Sequence, residues 1–267
     1  VEEDWGSVLN KLLQIRDLLV DRRNLLVNLS AEQKGFDQIQ SKLTEYVSAM
    51  PLRTDEVKVQ DWAAEMHKFE GKGEGFIVPT QVNYVGKGGP MFAPGEETSG
   101  SYGVVARYLR TTWLWDKVRV VGGAYGAMNV YNPSSGMFKY VSYRDPNLEQ
   151  TLDTYDGTGE FLRETAKEMS QTTLANAIIG MIGDMDSPMS PDQKGFTSMD
   201  RYLTGMTDEI RQQRREQVLG TTAKDFEAFA DRLDSVAKDG TIAVIGSKAA
   251  LEEANKKLGL DLTQLLQ

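Results

Sequence analysis

Residues 118–126 read VRVVGGAYG, and the course of the chain through them decides what the middle of this sequence can form. Val118 and Val120 alternate with polar positions and, with residues 127–130, read as strand. Gly122 and Gly123 interrupt that strand. Glycine inside a strand marks a bulge or the close approach of another backbone. One reading is a bulged hairpin without a ligand. The other is a bulge that grips a peptide main chain, because Arg119 and Tyr125 flank the bare backbone with a cation and a phenol. The loop NPSSG at 132–136 then predicts a hairpin between 118–131 and 137–144.

Upstream, residues 5–23 read as a helix with Val8, Leu12, Ile15 and Leu19 on one face, 25–29 (LLVNL) as a short strand, and 30–48 as a second helix stopped by Pro51. Residues 51–75 are polar, with a weak helical patch around Trp62, and end in the glycine-rich GKGEG of a linker. Residues 76–85 are β-rich and 86–98 read as a loop. A helix runs from Ser99 or Ser101 to about Asp116. After the hairpin, Pro146 opens a helix over 148–161, and Ser170 caps another over 172–182. Residues 183–193 read as a loop. Asp208 and Glu209 open a helix whose start suits the dipole, ending near Gly220. Thr222 and Asp225 form a capping box before the next helix. TIAVI at 241–245 is a strand and 248–258 a final helix. Helix, short strand, helix thus occurs twice, at 5–48 and 222–258, which suggests two related units in tandem.

The composition excludes several chemistries. With no cysteine there is no disulfide, thiolate metal site or cysteine nucleophile, a pattern that fits a reducing compartment. The one histidine, His67, rules out a zinc site built from two or three histidines of this chain and sits near no nucleophile elbow. A net charge of −9 disfavours nucleic acid and favours basic partners. No apolar run approaches the roughly 20 residues of a membrane span. The opening VEEDWG is neither a signal nor a transit peptide, so any targeting segment is expected to have been removed or to belong to a longer precursor. The glycines of 71–75 and 86–89 lack the spacing of a phosphate loop. Asp184, Asp186 and Asp192 could bind a cation but lack the glycine and terminal glutamate of an EF-hand. Arg211, Arg214 and Arg215 lie among acids on a solvated helix face. Trp113 and Trp115 read as packing residues.

Three strings, IVPTQVNYVG at 77–86, TWLWDKVRVVGGAYG at 112–126 and VSYRDPNLEQTLDTYDGTGEFL at 141–162, resemble the C-terminal portion of the presequence proteases, zinc metalloendopeptidases of the pitrilysin/insulinase superfamily. AIIGMIGDMD at 177–186 and the region 194–216 extend the likeness. The resemblance implies an α/β (α+β) pitrilysin-type domain, a mostly antiparallel mixed sheet packed with helices. Residues 1–50 would end a preceding homologous domain, 51–75 would link, and 76–267 would form the complete, non-catalytic C-terminal domain. The family's inverted zinc motif, His-x-x-Glu-His with a distal glutamate, is absent here, so zinc would be held by an N-terminal half. Arg119 and Tyr125 match the family's Arg-x5-Tyr pair. Tyr125 would then meet the scissile carbonyl oxygen, Arg119 would hold substrate, and Gly122 and Gly123 would let its main chain approach. The implied partners are that N-terminal half and unstructured, often basic peptides such as cleaved targeting peptides, in the mitochondrial matrix or chloroplast stroma. Without the zinc motif, an inactive scaffold subunit of the same superfamily is the alternative.

Overall fold

Alternating burial along two strands sets the architecture of the larger part of the chain. Val85 and Lys87 of β2 (Tyr84–Pro90), and Phe138, Tyr140 and Ser142 of β4 (Met137–Tyr143), all turn to one buried face, as period-two side chains must. The computed structural model describes residues 4–54, 71–93 and 95–266. The chain divides into two units, Val1–His67 with Pro188–Thr207, and Lys68–Ser187 with Asp208–Gln267.

In the second unit β1 (Gly73–Ile77), β2, β3 (Gly126–Asn132), β4, β5 (Thr241–Gly246) and β6 (Asp261–Gln264) form one sheet in the order β3-β4-β2-β5-β1-β6. β3, β4, β2 and β5 pair antiparallel in turn, while β1 runs parallel to both β5 and β6. The sheet is therefore mixed and mostly antiparallel, as expected. The glycines at 86–89, read as loop, lie in β2, and Gly73 to Gly75, read as linker, lie in β1. Lys87 hides the signal in β2. Its stem is buried, and its Nζ donates to Asp156 Oδ1 at 2.6 Å and to the Ala237 carbonyl at 2.7 Å.

Helices cover the buried face. α3 (Ser101–Thr111), α4 (Glu149–Asp156), α5 (Thr158–Lys167) and α9 (Ala223–Asp239) supply Leu109, Leu152, Leu162, Phe226, Phe229 and Leu233 to a core shared with Phe138 and Tyr140. α6 (Gln171–Met185), α8 (Asp208–Leu219) and α10 (Lys248–Leu258) complete the unit. The capping box of Thr222 and Asp225 and the Ser170 cap are both formed. The single helix expected over 148–161 breaks at Gly157 into α4 and α5. The other sheet face is more open, and Met128, Val130, Tyr143 and Ile245 on it are exposed.

Residues 118–121 are not strand. They belong to a π-helix, Trp115–Val121, whose defining bond runs from Gly122 N–H to the Lys117 carbonyl at 3.0 Å. The strand starts at Gly126. Leu114 and Val118, four residues apart, are both buried, while Val120 and Val121 are exposed. A β-branched run favours strand by propensity, but the pocket that accepts Leu114 and Val118 requires helical spacing.

The first unit holds α1 (Trp5–Leu19), a 3₁₀ turn (Arg22–Asn24), α2 (Gln33–Ala49) and α7 (Pro191–Thr204), none of which has a buried residue. Residues 25–29, read as a strand, form none, because no described strand pairs with them. The tandem echo therefore holds for the helices and fails for the strand. α7 was missed although Ser190, Pro191 and Gln193 spell a capping box with proline in the first turn. His67 and the patch around Trp62 lie outside the described residues.

Asp21 organises this unit's polar side. Its carboxylate accepts bonds from the Arg23 guanidinium and from the Arg23 and Arg53 amides. The Arg23 side chain, above all, holds its pKa down to about 2 from 3.8. A carboxyl with a lowered folded pKa stabilises the fold above its unfolded value and loses that contribution as pH falls through the folded one. Asp21→Asn should therefore lower the urea midpoint at pH 6, and the gap to the parent should close between pH 4 and pH 2.

Candidate functional site

The π-helix ends in a glycine cap that places Arg119 and Tyr125 on the rim of the sheet. The Gly123 N–H donates to the Arg119 carbonyl at 3.0 Å and the Ala124 N–H to the Val118 carbonyl at 3.1 Å, so the chain folds back over the helix end before entering β3. Gly123 has φ +79°, the left-handed region. At Gly122 a Cβ would stand 2.6 Å from the Val118 carbonyl oxygen. Both glycines thus have a reason in the helix cap itself, in place of the strand bulge expected. Gly123→Ala should cost about 1–2 kcal/mol, because the nearest atom to the new Cβ, Pro146 Cγ at 3.6 Å, leaves room and only the backbone is strained. Chemical denaturation would read that loss.

A buried node fixes the cap to the sheet. The Asn147 side-chain amide donates to the Gly122 carbonyl at 2.5 Å. Asp145, fully buried, accepts from the Asn147 N–H at 2.9 Å and from the Thr151 hydroxyl at 2.7 Å. Its backbone bridges Asn83 at the entrance to β2, by bonds of 2.7 and 2.8 Å. Between node and strand stands Arg144, a non-glycine residue at φ 50°, whose carbonyl accepts from the Tyr125 N–H at 3.4 Å. That conformation is costly for an L residue, and such strain gathers at functional sites.

Tyr125 is 68% exposed and its ring meets Tyr143 edge to face at 5.8 Å. Tyr143 meets Tyr84 in the same way at 5.3 Å, and the Arg144 guanidinium lies 5.6 Å from the Tyr143 ring. The Arg119 guanidinium lies 4.0 Å over the exposed Trp115 ring. These ring contacts orient the side chains without consuming the Tyr125 hydroxyl or the Arg119 donors. No ion pair involves Arg119 or Arg144 among the described residues. The rim therefore offers two guanidinium groups, a free phenol and flat aromatic surface on an open face, suited to carbonyl oxygens and carboxylates of an extended chain.

The structure brings Arg119, Gly122, Gly123 and Tyr125 onto one cap. It adds Trp115, which the sequence reading assigned to packing, and Tyr84, Tyr143 and Arg144, which that reading did not single out. Trp113 does pack, stacking on Phe161 and donating to the Thr154 carbonyl, but Trp115 supports Arg119 instead. The string YRDPN at 143–147 holds two of the missed residues, Tyr143 and Arg144, and its proline turn after a cation was the signal available. The aspartates proposed for a cation are engaged elsewhere. Asp184 pairs with Arg107 and Arg110, and Asp186 with Arg215, whose hydrogen bonds lower its pKa. Asp192 lies at the start of α7, its pKa lowered by a bond from Ser190. Among the described residues no group of three or more His, Cys, Asp or Glu could hold a metal ion, and no helix is long and apolar enough to cross a membrane.

The fold is that of the pitrilysin/insulinase-type proteases. The crystal structure of pitrilysin matches 87% of this chain and 25% of its own, with a TM-score of 0.53 at 13% identity. The family model for the PreP C-terminal domain matches residues 73–248, and the chain belongs to the presequence protease family. "Presequence protease 1, chloroplastic/mitochondrial" of Arabidopsis thaliana is 42% identical over 257 residues, 96% of this chain and 23% of that protein. "Presequence protease, mitochondrial" of Emericella nidulans is 31% identical over 254 residues, 92% of this chain and 23% of that protein. The chain thus spans about a quarter of the length of the curated relatives it matches.

Proposed function

We propose that this chain is the substrate-gripping C-terminal part of a peptide-degrading metalloendopeptidase, completing an active site whose zinc is held elsewhere in the protein. The observation that carries it is the pairing of Arg119 and Tyr125 on one rigid cap, both with donors uncommitted, in a chain of this family. The donor set here does not fit zinc. One histidine and no cysteine in the chain, and no clustered ligands among the described residues, do not match a family zinc site. The chain's own contribution is to bind and orient. Tyr125 donates its hydroxyl proton in a hydrogen bond to the carbonyl oxygen of the peptide bond under attack, where negative charge gathers. Arg119, held flat by Trp115, donates to a backbone carbonyl or acidic side chain nearby. Gly122 and Gly123 leave the rim bare, so a main chain can lie against it. Tyr84 and Tyr143 extend the surface along which an unfolded segment would lie.

Substrates of this class are unstructured peptides, among them basic targeting peptides, whose charge is opposite to the −9 of this chain. The chloroplastic and mitochondrial names of the relatives support an organellar stroma or matrix as the place of action. Domain organisation follows the same reading, with residues 1–50 ending a preceding homologous domain and the sheet unit forming the last one. In the full-length protein, Arg119→Gln should raise KM for a basic peptide about tenfold with a smaller change in kcat, the mark of lost ground-state binding. An unchanged kcat/KM would remove Arg119 from the site.

A further inference from the structure

Away from that rim, a cavity of about 280 Å³ opens where α3 begins, walled by Gly100, Gly103, Tyr131, Met181, Met185 and Val218, with Arg214 at its side. The arginines around it are nearly all neutralised. Arg107 and Arg110 pair with Asp184, Arg211 with Asp208, and Arg215 with Asp186. Arg214 is half-buried and has no carboxylate partner among the described residues. The Tyr131 hydroxyl is screened from water and makes no hydrogen bond of full geometry, although the Thr98 side chain lies beside it. Its ring is clamped by Phe92, Tyr102 and Phe229, so the hydroxyl cannot turn away to find a partner. Burial raises the phenol's pKa, against the smaller opposing effects of Thr98 and the Arg214 charge, which keeps it a protonated donor.

A guanidinium without a carboxylate partner and a screened phenol without a full hydrogen bond, in one small cavity, call for an anionic acceptor, since an unsatisfied buried polar group is unfavourable. The helix start does not supply the binding. The Gly100 N–H is taken by Gln217 Oε1 at 2.7 Å and the Ser101 N–H by Ser99 Oγ at 3.2 Å. Arg214 and Tyr131 are what remains. Thr98 and Ser99 lie at the helix start, the remaining side-chain walls are apolar, and Met181 and Met185 are side chains that adapt to varied shapes. The volume falls just below the roughly 300–1,000 Å³ of pockets for drug-sized molecules, so it suits one residue.

We infer that this cavity receives the free carboxyl terminus of a peptide whose last side chain is apolar, with Arg214 forking onto the carboxylate, Tyr131 donating to it, and the side chain resting on Met181, Met185 and Val218. This rests on the peptide-handling reading above. It adds a second anchoring point at the far end of β3, whose first residue follows Tyr125.

The test uses an N-terminally fluorescein-labelled peptide with D-alanine residues before a C-terminal leucine, which resists cleavage, as free acid and as amide. Binding to the full-length protein is followed by fluorescence anisotropy. The acid should bind at least about tenfold tighter than the amide, as a charge-assisted forked pair implies. Arg214→Gln should abolish that preference, and Arg214→Lys should keep part of it. Tyr131→Phe should weaken acid binding severalfold with the melting temperature unchanged or raised, because the lost hydroxyl had no full hydrogen bond. Arg119→Gln should leave the preference intact, so failure of the rim assignment and failure of this one are separable. Equal binding of acid and amide, or a preference that survives in a folded Arg214→Gln protein, would overturn the inference. Competition by 4-methylpentanoate as strong as by the peptide acid would overturn the peptide assignment in favour of a small free acid.

Discussion

Tyr125→Phe in the full-length protein is expected to lower kcat for peptide hydrolysis by about 10²–10³-fold, the usual loss when one donor to a developing oxyanion is removed. KM should change little, because a neutral carbonyl in the ground state gains far less from that bond than the charged oxygen it becomes. The substitution is clean in this structure. The Tyr125 ring stays against Tyr143, its N–H still donates to the Arg144 carbonyl, and the hydroxyl makes no bond that folding needs. Stability should be unaltered, so urea midpoints and steady-state kinetics together separate a catalytic role from a structural one. A phenylalanine variant with full kcat would remove Tyr125 from the reaction, whereas a full-length parent that hydrolyses no peptide would favour the scaffold alternative.

The second large effect is on folding. Asp145→Ala should destabilise the sheet unit by about 3 kcal/mol, since two hydrogen bonds to a buried carboxylate are lost and their donors stay wholly or partly buried. The donors left without a partner are the Asn147 N–H and the Thr151 hydroxyl. Asn147 also holds the Gly122 carbonyl, so loosening it loosens the cap that carries Arg119 and Tyr125. Peptide hydrolysis should therefore fall even at temperatures where the variant remains folded. Denaturant unfolding monitored by tryptophan fluorescence gives the stability loss, and activity at a low fixed temperature gives the second effect. Asp145→Asn retains one acceptor oxygen and should lose less of both.

Most of the helices could be read in the sequence because their signals are local. The capping box at Thr222, the Ser170 cap and the acidic first turn at Asp208 act within one turn of chain, and each marks a helix start found in the structure. β2 was hidden because its pattern alternates glycine with a lysine whose burial depends on Asp156 and Ala237, residues about 70 and 150 positions away. β6 was hidden because a four-residue strand exists only by pairing with β1. The 25–29 run looked like a strand and is none, for want of a described partner.

For the site, the sequence by itself supplied the candidates: Arg119 and Tyr125 six residues apart around two glycines, the lack of a His-x-x-Glu-His motif, and a family resemblance carried by unusual strings. Only the tertiary structure decided the geometry. The glycines end a π-helix, Trp115 supports Arg119, and a buried aspartate twenty or more residues downstream of both candidate side chains locks the cap to the sheet. The physical reason is range. Residue types and caps are properties of neighbours along the chain, whereas the same valines become helix or strand according to which distant side chains leave room for them.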